Sequence, residues 1–163
     1  MTNKSTISSE ILALLEGTWT GKGRGEFPGV TSFDYRETLT FTRRDEHSLT
    51  YEQKTQKRYD GQAEYLPSHG ETGSIQRLET NELELVNAQG GGRSEVLVGT
   101  IEKLGELLRI RFVSKSINND PRMISSTRTF ELEGDTLRYE MGMHTTKVEQ
   151  LTPHLKISLQ RVK

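Results

Sequence analysis

From Phe33 onward, apolar and polar residues alternate with a period of two, the pattern of strands that bury one face. Phe33, Tyr35, Leu39 and Phe41 alternate with Asp34, Thr38, Thr40 and Thr42, a run rich in β-formers. Leu83, Leu85 and Val86 make a short apolar run that ends at Gln89, before the break Gly90-Gly91-Gly92. Val96, Val98 and Ile101 lead through Leu104-Gly105-Glu106 into Leu108, Ile110 and Phe112, which predicts a hairpin. Phe130-Glu131-Leu132 and Thr136-Leu137-Arg138-Tyr139, joined by Glu133-Gly134-Asp135, predict another. Asn118-Asn119-Asp120-Pro121 reads as a loop, and a last strand runs from about Leu151 to Val162. One helix precedes the strands: Ser8 or Ser9 can cap it, Glu10 suits its first turn, and Ile11, Leu12, Leu14 and Leu15 form an apolar face before Gly17 stops it.

Between that helix and Phe33 lies Gly17-Thr18-Trp19-Thr20-Gly21-Lys22-Gly23-Arg24-Gly25-Glu26-Phe27-Pro28-Gly29, which holds the chain's single tryptophan. Glycine at alternate positions weakens a strand unless one face must approach a backbone or a bulky side chain closely. A first strand that coils tightly where a small barrel closes, with an indole across its end, meets that requirement. With roughly ten strands and turn signals at about 10–15-residue spacing, the reading is all-β: an antiparallel up-and-down barrel, lipocalin- or fatty-acid-binding-protein-like, with a short N-terminal helix. First and last strands would pair to remove the sheet edges. A single domain over residues 1–163 is expected, with 1–7 as a flexible N-terminus.

Composition refines this picture. Only 31% of residues are hydrophobic and the mean hydropathy is −0.68, low for a solid interior, which favours a shell with a polar or partly hollow inside. The net charge of −1, with both signs interleaved, argues against nucleic-acid or anionic-membrane binding. Without cysteine there is no disulfide and no thiolate nucleophile or metal ligand. The first residues, Met1-Thr2-Asn3-Lys4-Ser5, do not read as a signal peptide, and no segment reads as a bilayer span, so a cytoplasmic protein is expected.

Metal or acid–base chemistry then rests on four histidines and the carboxylates. His47 lies in the polar turn Arg44-Asp45-Glu46-His47 and reads as solvated; His144, after Met143, reads as a surface or rim residue. His69 lies in Pro67-Ser68-His69-Gly70-Glu71-Thr72-Gly73, and His154 in Leu151-Thr152-Pro153-His154-Leu155. No spacing suits a zinc or non-haem iron site, so a metal would have to bring most of its own donors, as haem does. In a regular strand His154 would share its face with Lys156, Ser158 and Gln160, opposite Leu155, Ile157 and Leu159. Either the lumen is polar or a bulge near Pro153 shifts the phase, and the low apolar content favours the polar lumen.

The segment from Gly17 to Gly29 resembles the Gly-x-Trp-x-Gly-x-Gly motif of the nitrobindins, haem-binding barrels of the fatty-acid-binding-protein type. Phe33-Asp34-Tyr35-Arg36-Glu37, Tyr51-Glu52-Gln53-Lys54-Thr55, His69-Gly70-Glu71-x-Gly73 and Ala88-Gln89 are similar to motifs that follow in that family, in order. So are Met143, Thr145-Thr146 and Leu151-Thr152-Pro153-His154-Leu155-Lys156 at the end. The resemblance implies haem b as cofactor, with His154 as axial ligand and His69, Gln89 and Met143 on the open side of the pocket. Arg122 stands near where relatives place a basic residue and could pair with a haem propionate, or be a solvated loop arginine. The implied function is binding of nitric oxide and isomerisation of peroxynitrite to nitrate at ferric haem. The iron would be the electrophile, so no protein nucleophile is needed. Pairing of two copies through outer strand faces is a further expectation. Gly29 stands where the family places threonine, and the glycine run 90–92 is looser than the family loop. A haem-free barrel carrying a fatty acid or other small apolar ligand is therefore the alternative, and a module with a filled interior the third reading.

Overall fold

The computed structural model describes residues 4–26 and 29–163; residues 1–3 of the expected flexible segment, and Phe27 and Pro28, lie outside them. Among the described residues run one helix, α1 (Lys4–Leu15), and ten strands. These are β1 (Gly17–Gly25), β2 (Phe33–Asp45), β3 (Ser48–Tyr59), β4 (Leu66–Arg77), β5 (Leu83–Gln89), β6 (Ser94–Leu104), β7 (Leu107–Asn118), β8 (Met123–Glu133), β9 (Thr136–Thr145) and β10 (Thr152–Arg161). Each pairs antiparallel with its sequence neighbours, and β1 pairs with β10, from Trp19 opposite Arg161 to Gly25 opposite Leu155, closing the barrel. Closure removes both edges, as the sequence pattern anticipates.

The helix begins at Lys4, a full turn before the Ser8 or Ser9 cap expected from sequence, and residues 4–7 are already helical. Ser8 and Ser9 are instead acceptors: their hydroxyls take hydrogen bonds from Arg77 Nε (2.9 Å) and Nη1 (2.6 Å). Ile11, Leu12 and Leu15 are fully buried, whereas Leu14 turns outward at 40% exposure. Each buried apolar side chain contributes roughly 1.5–3 kcal/mol, so α1 is held as a plug on one end of the barrel. The Trp19 indole donates from Nε1 to the Leu15 carbonyl (2.9 Å), and the Arg161 guanidinium lies 4.2 Å above its ring.

The alternate glycines of β1 face inward for the reason their spacing suggested. A Cβ on Gly23 would lie 2.5 Å from the Tyr35 ring, one on Gly25 would enter the Phe33 ring, and one on Gly21 would meet the Ser158 carbonyl. The two rings therefore occupy space that any larger residue on β1 would take.

Along the barrel axis the interior has three levels. Next to α1 it is apolar, with Leu49, Ile75, Leu83, Leu97, Leu137 and Leu159 buried. At mid-height the inward positions are polar: Glu37, Gln53, Glu71, Asn87, Glu95 and Arg128 are all buried. At the far end, where β1, β3, β5, β7 and β9 finish and the even strands begin, the barrel opens.

The phase of β10 corrects the sequence expectation. Leu155, Ile157 and Leu159 point inward and Lys156, Ser158 and Gln160 outward. His154 is nevertheless buried because the ladder to β9 slips there: Pro153 pairs with Gly142 and Leu155 with Met141, leaving His154 as the extra residue. The lumen is indeed polar at mid-height, but the bulge, not that polarity, brings the imidazole in. Proline, which has no N–H to give a ladder, is suited to the bulge.

Candidate functional site

Because consecutive strands run up and down, the end of each odd strand and the start of each even one meet at the open end. His69, Gln89, Arg122, Met143 and His154, scattered over 86 residues of sequence, are thereby gathered around one mouth. Two adjoining cavities open there. One, of about 200 Å³, runs inward past Phe33, Tyr35, Gln53, His69, Tyr139 and Met143. The other, of about 210 Å³, is walled by His154, Met143, Val30, Arg122, Asp120 and Lys147. Among the described residues Arg93 and Met143 line both, two flexible side chains shared between the compartments.

His154 is 7% exposed, and its carbonyl accepts a hydrogen bond from the Glu26 N–H (3.2 Å), which ties the bulge to the end of β1. Burial holds its imidazole below the ordinary histidine pKa, keeping the neutral, lone-pair-bearing form. His69, on the other cavity, is half-exposed; its Nε2 lies 3.2 Å from Glu71 Oε2, and its carbonyl accepts from Thr55 Oγ1 (2.8 Å).

Gln89 lines neither cavity in this arrangement. Its amide donates to Glu95 (2.5 Å), and its oxygen accepts from Arg93 Nη2 (2.8 Å), so it anchors the arginine that does reach the mouth. Arg122 is exposed and held by Asp120 through Nε (2.9 Å) and Nη2 (3.0 Å); Arg93 Nη1 approaches the same carboxylate at 3.4 Å. The Arg122 bonds and the arginine charges hold Asp120 below the usual carboxylate range. His47 is a turn residue that meets Arg77, and His144 pairs with Ser125 on the ladder; neither lines the mouth cavities.

Beneath the mouth lies a charged layer that sequence reasoning missed. Arg128 donates to both oxygens of Glu71 (2.5 and 2.9 Å) and to Glu95 (3.2 Å); Tyr51 donates to Glu71 and Ser126 to Glu95. Burial alone would push Glu71 up, but Arg128 and its hydrogen-bond donors outweigh it and hold the carboxyl well below its usual range. Next to this set, Glu37 accepts from Gln53 Nε2 and Tyr139 Oη (both 2.6 Å). The available signal was parity: Glu37, Gln53, Glu71, Glu95 and Arg128 occupy the same alternate positions as buried apolar residues on their strands.

Among the described residues no three His, Cys, Asp or Glu side chains come together to hold a bare metal ion. A group that brings its own equatorial donors needs one neutral imidazole, an apolar slot and cations for its carboxylates. His154 supplies the first; Met143, Leu155, Phe33 and Val30 the second; Arg93, Arg122, Lys147 and Lys57 the third. Gly29 has φ +76°, with open space where a Cβ would stand, and it lines neither cavity. The residues at this mouth fit a haem.

Comparison with known proteins agrees. Residues 9–161 match the family model described as "THAP4-like, heme-binding beta-barrel domain". The chain is 37% identical over 153 residues to peroxynitrite isomerase 1 of Mycolicibacterium paratuberculosis, covering 92% of each chain. It is 35% identical to the peroxynitrite isomerase of Nocardia farcinica, covering 92% of this chain and 88% of that one. The crystal structure of Rv2717c from M. tuberculosis superposes with a TM-score of 0.83 at 31% identity, over 96% of this chain and 98% of that one. An S-type phycobiliprotein lyase from Guillardia theta shares the fold alone, with a TM-score of 0.61 at 10% identity. The chain belongs to the THAP4-like, haem-binding β-barrel family, the nitrobindins.

Proposed function

We propose that this protein binds ferric haem b through His154 and isomerises peroxynitrite to nitrate, with nitric oxide as a second ligand of the same site. The observation that carries this reading is the bulge in β10, which turns one neutral, buried imidazole toward a mouth rimmed by arginine and lysine. Bound there, the group would supply a Lewis-acidic iron. The isomerisation is a rearrangement that conserves atoms and charge, so the protein need contribute neither nucleophile nor reductant.

What the chain contributes is binding, orientation and field. His154 would hold the group through its imidazole, in a position fixed by the bulge and the Glu26 hydrogen bond. Arg93, 17% exposed and held between Gln89 and Asp120, and Arg122 at the rim are placed to pair with the carboxylates of the group and to draw in an anionic substrate. Phe33, Met143 and Leu155 give the inner cavity an apolar wall. The similarity to proteins named peroxynitrite isomerase supports the activity. A long acyl chain, the alternative cargo, would need the space that Arg128, Glu71 and Glu95 fill.

The test is stopped-flow decay of peroxynitrite with and without the haem-loaded protein. Acceleration by the loaded wild type, and none by the haem-free protein, supports the assignment. Equal decay in both removes the activity, whatever the barrel binds.

A further inference from the structure

Beyond the apolar wall that Phe33 gives the haem slot, the two motifs Phe33-x-Tyr35-x-Glu37 and Tyr51-x-Gln53 each send a polar side chain to one inner position. There Tyr139, which lines the inner cavity, is fully engaged. Its hydroxyl donates to Glu37 Oε2 (2.6 Å) and accepts from Gln53 Nε2 (2.8 Å), while the same amide nitrogen donates to Glu37 Oε1 (2.6 Å). A carboxylate can only accept, so Gln53 must present its NH₂ to it, and the phenol hydrogen must point at Glu37. Tyr35, the other phenol on this cavity, is committed to the Lys156 carbonyl (3.1 Å). We propose that Tyr139 is the switchable hydrogen-bond donor of the inner cavity, offered to an oxygen- or nitrogen-bearing anion there, with Glu37 and Gln53 as the residues that position it.

The switch follows from counting hydrogens. With Glu37 ionised, the Tyr139 hydrogen is held by the carboxylate, and the cavity sees only the phenol oxygen. With Glu37 protonated, the carboxyl O–H donates to that oxygen and the phenol hydrogen turns to the cavity. Gln53 keeps its bond to the remaining carboxyl oxygen in both states. No heavy atom moves far. The groups facing Glu37 are Tyr35 on β2, Gln53 on β3, Glu71 on β4, Arg128 on β8 and Tyr139 on β9. Burial, partly offset by the bonds from Tyr139 and Gln53, pushes Glu37 up to about 7, so both states are populated near neutral pH. Burial, then the Glu37 charge, raises the Tyr139 phenol well above its ordinary value, so it serves as a donor and not as an acid.

This inference rests on the haem reading for its ligand, and its test separates the two. The haem-loaded protein, loading checked by its Soret band, is titrated with azide from acid to alkaline pH as wild type, Tyr139→Phe and Glu37→Gln. Wild type should bind azide roughly tenfold more tightly on the acid side of the Glu37 titration, the worth of about one hydrogen bond to an anion. Tyr139→Phe should bind weakly and lose that component. Glu37→Gln, whose amide donates to the phenol as the protonated acid does, should stay tight across the range. A merely structural role would not make the two variants flat at opposite levels. Retention of the wild-type pH profile by Glu37→Gln, or of tight acid-side binding by Tyr139→Phe, overturns the proposal. The haem-free protein gives a second readout: an infrared carboxyl band that titrates near neutral pH, moves in Tyr139→Phe and vanishes in Glu37→Gln. Its absence from wild type overturns the proposal, whereas failure to load haem counts against the functional reading alone.

Discussion

Arg128→Met is the sharpest perturbation of the interior. Arg128 is 3% exposed, and its two terminal nitrogens serve Glu71 and Glu95, whose side chains are each 1% exposed. Methionine retains most of the aliphatic stem but leaves two buried carboxylates facing each other without a cation. Breaking a buried pair in this way costs about 3–5 kcal/mol, a large part of the roughly 5–15 kcal/mol that holds a domain folded. For a chain of this size that is a fall in Tm on the order of 10 °C or more. The penalty should depend on pH. Glu71 is held well below its ordinary pKa in the native state, so its contribution is present above the unfolded value and lost as pH falls. Without Arg128, burial prevails and the native pKa rises; the variant then suffers most at high pH, where the unfolded chain still ionises freely. Urea denaturation at pH 5 and pH 8, followed by the fluorescence of the single, fully buried Trp19, reads both values. A loss below about 1 kcal/mol at both pH values, or an equal loss at the two, would refute the reasoning.

Two further outcomes follow from single positions. Gly23→Ala places a methyl group 2.5 Å from the Tyr35 ring, so the ring must shift; overpacking of this kind costs about 1–3 kcal/mol, measurable in the same urea assay. Glu37, buried and raised from an ordinary 4.5 to about 7, stabilises the fold fully below pH 4.5, and that stability is lost as pH rises through 7. The displacement corresponds to about 3 kcal/mol. Relative to wild type, Glu37→Gln should therefore gain about that much stability between pH 5 and pH 8, and a pH-independent difference between the two proteins would contradict the burial argument.

Period-two writing and turn residues made the barrel legible: the hairpins at Gly105 and Gly134 fall where the turn signals place them, and β1 closes on β10. The inward glycines of β1 were legible too, since a run of them on one face has few physical causes. The helix start was not, because tertiary bonds from Arg77 occupy the serines that would otherwise cap it. The facing of His154 was not either. A one-residue slip in a ladder depends on how two strands meet, and parity counted along one strand gives the opposite face. The buried charges were hidden for a different reason. Alternation is legible through its apolar members, and a single Glu37 or Arg128 on the same face is indistinguishable in one strand from a solvated residue, although such residues inside a barrel must be paired with one another. Arg93 is not legible because it sits at the turn after Gly92, where neither periodicity nor spacing marks which way a side chain faces.

The central claim, that one imidazole at the β10 bulge holds haem at the open end, is tested most directly by titrating the haem-free protein with hemin. The Soret band should be recorded for wild type and for His154→Ala. The account predicts a shifted, saturable band with wild type and a clearly different spectrum with the variant, whose fold is confirmed by unchanged Trp19 fluorescence. Identical spectra from the two proteins, or no Soret shift with wild type, would contradict it.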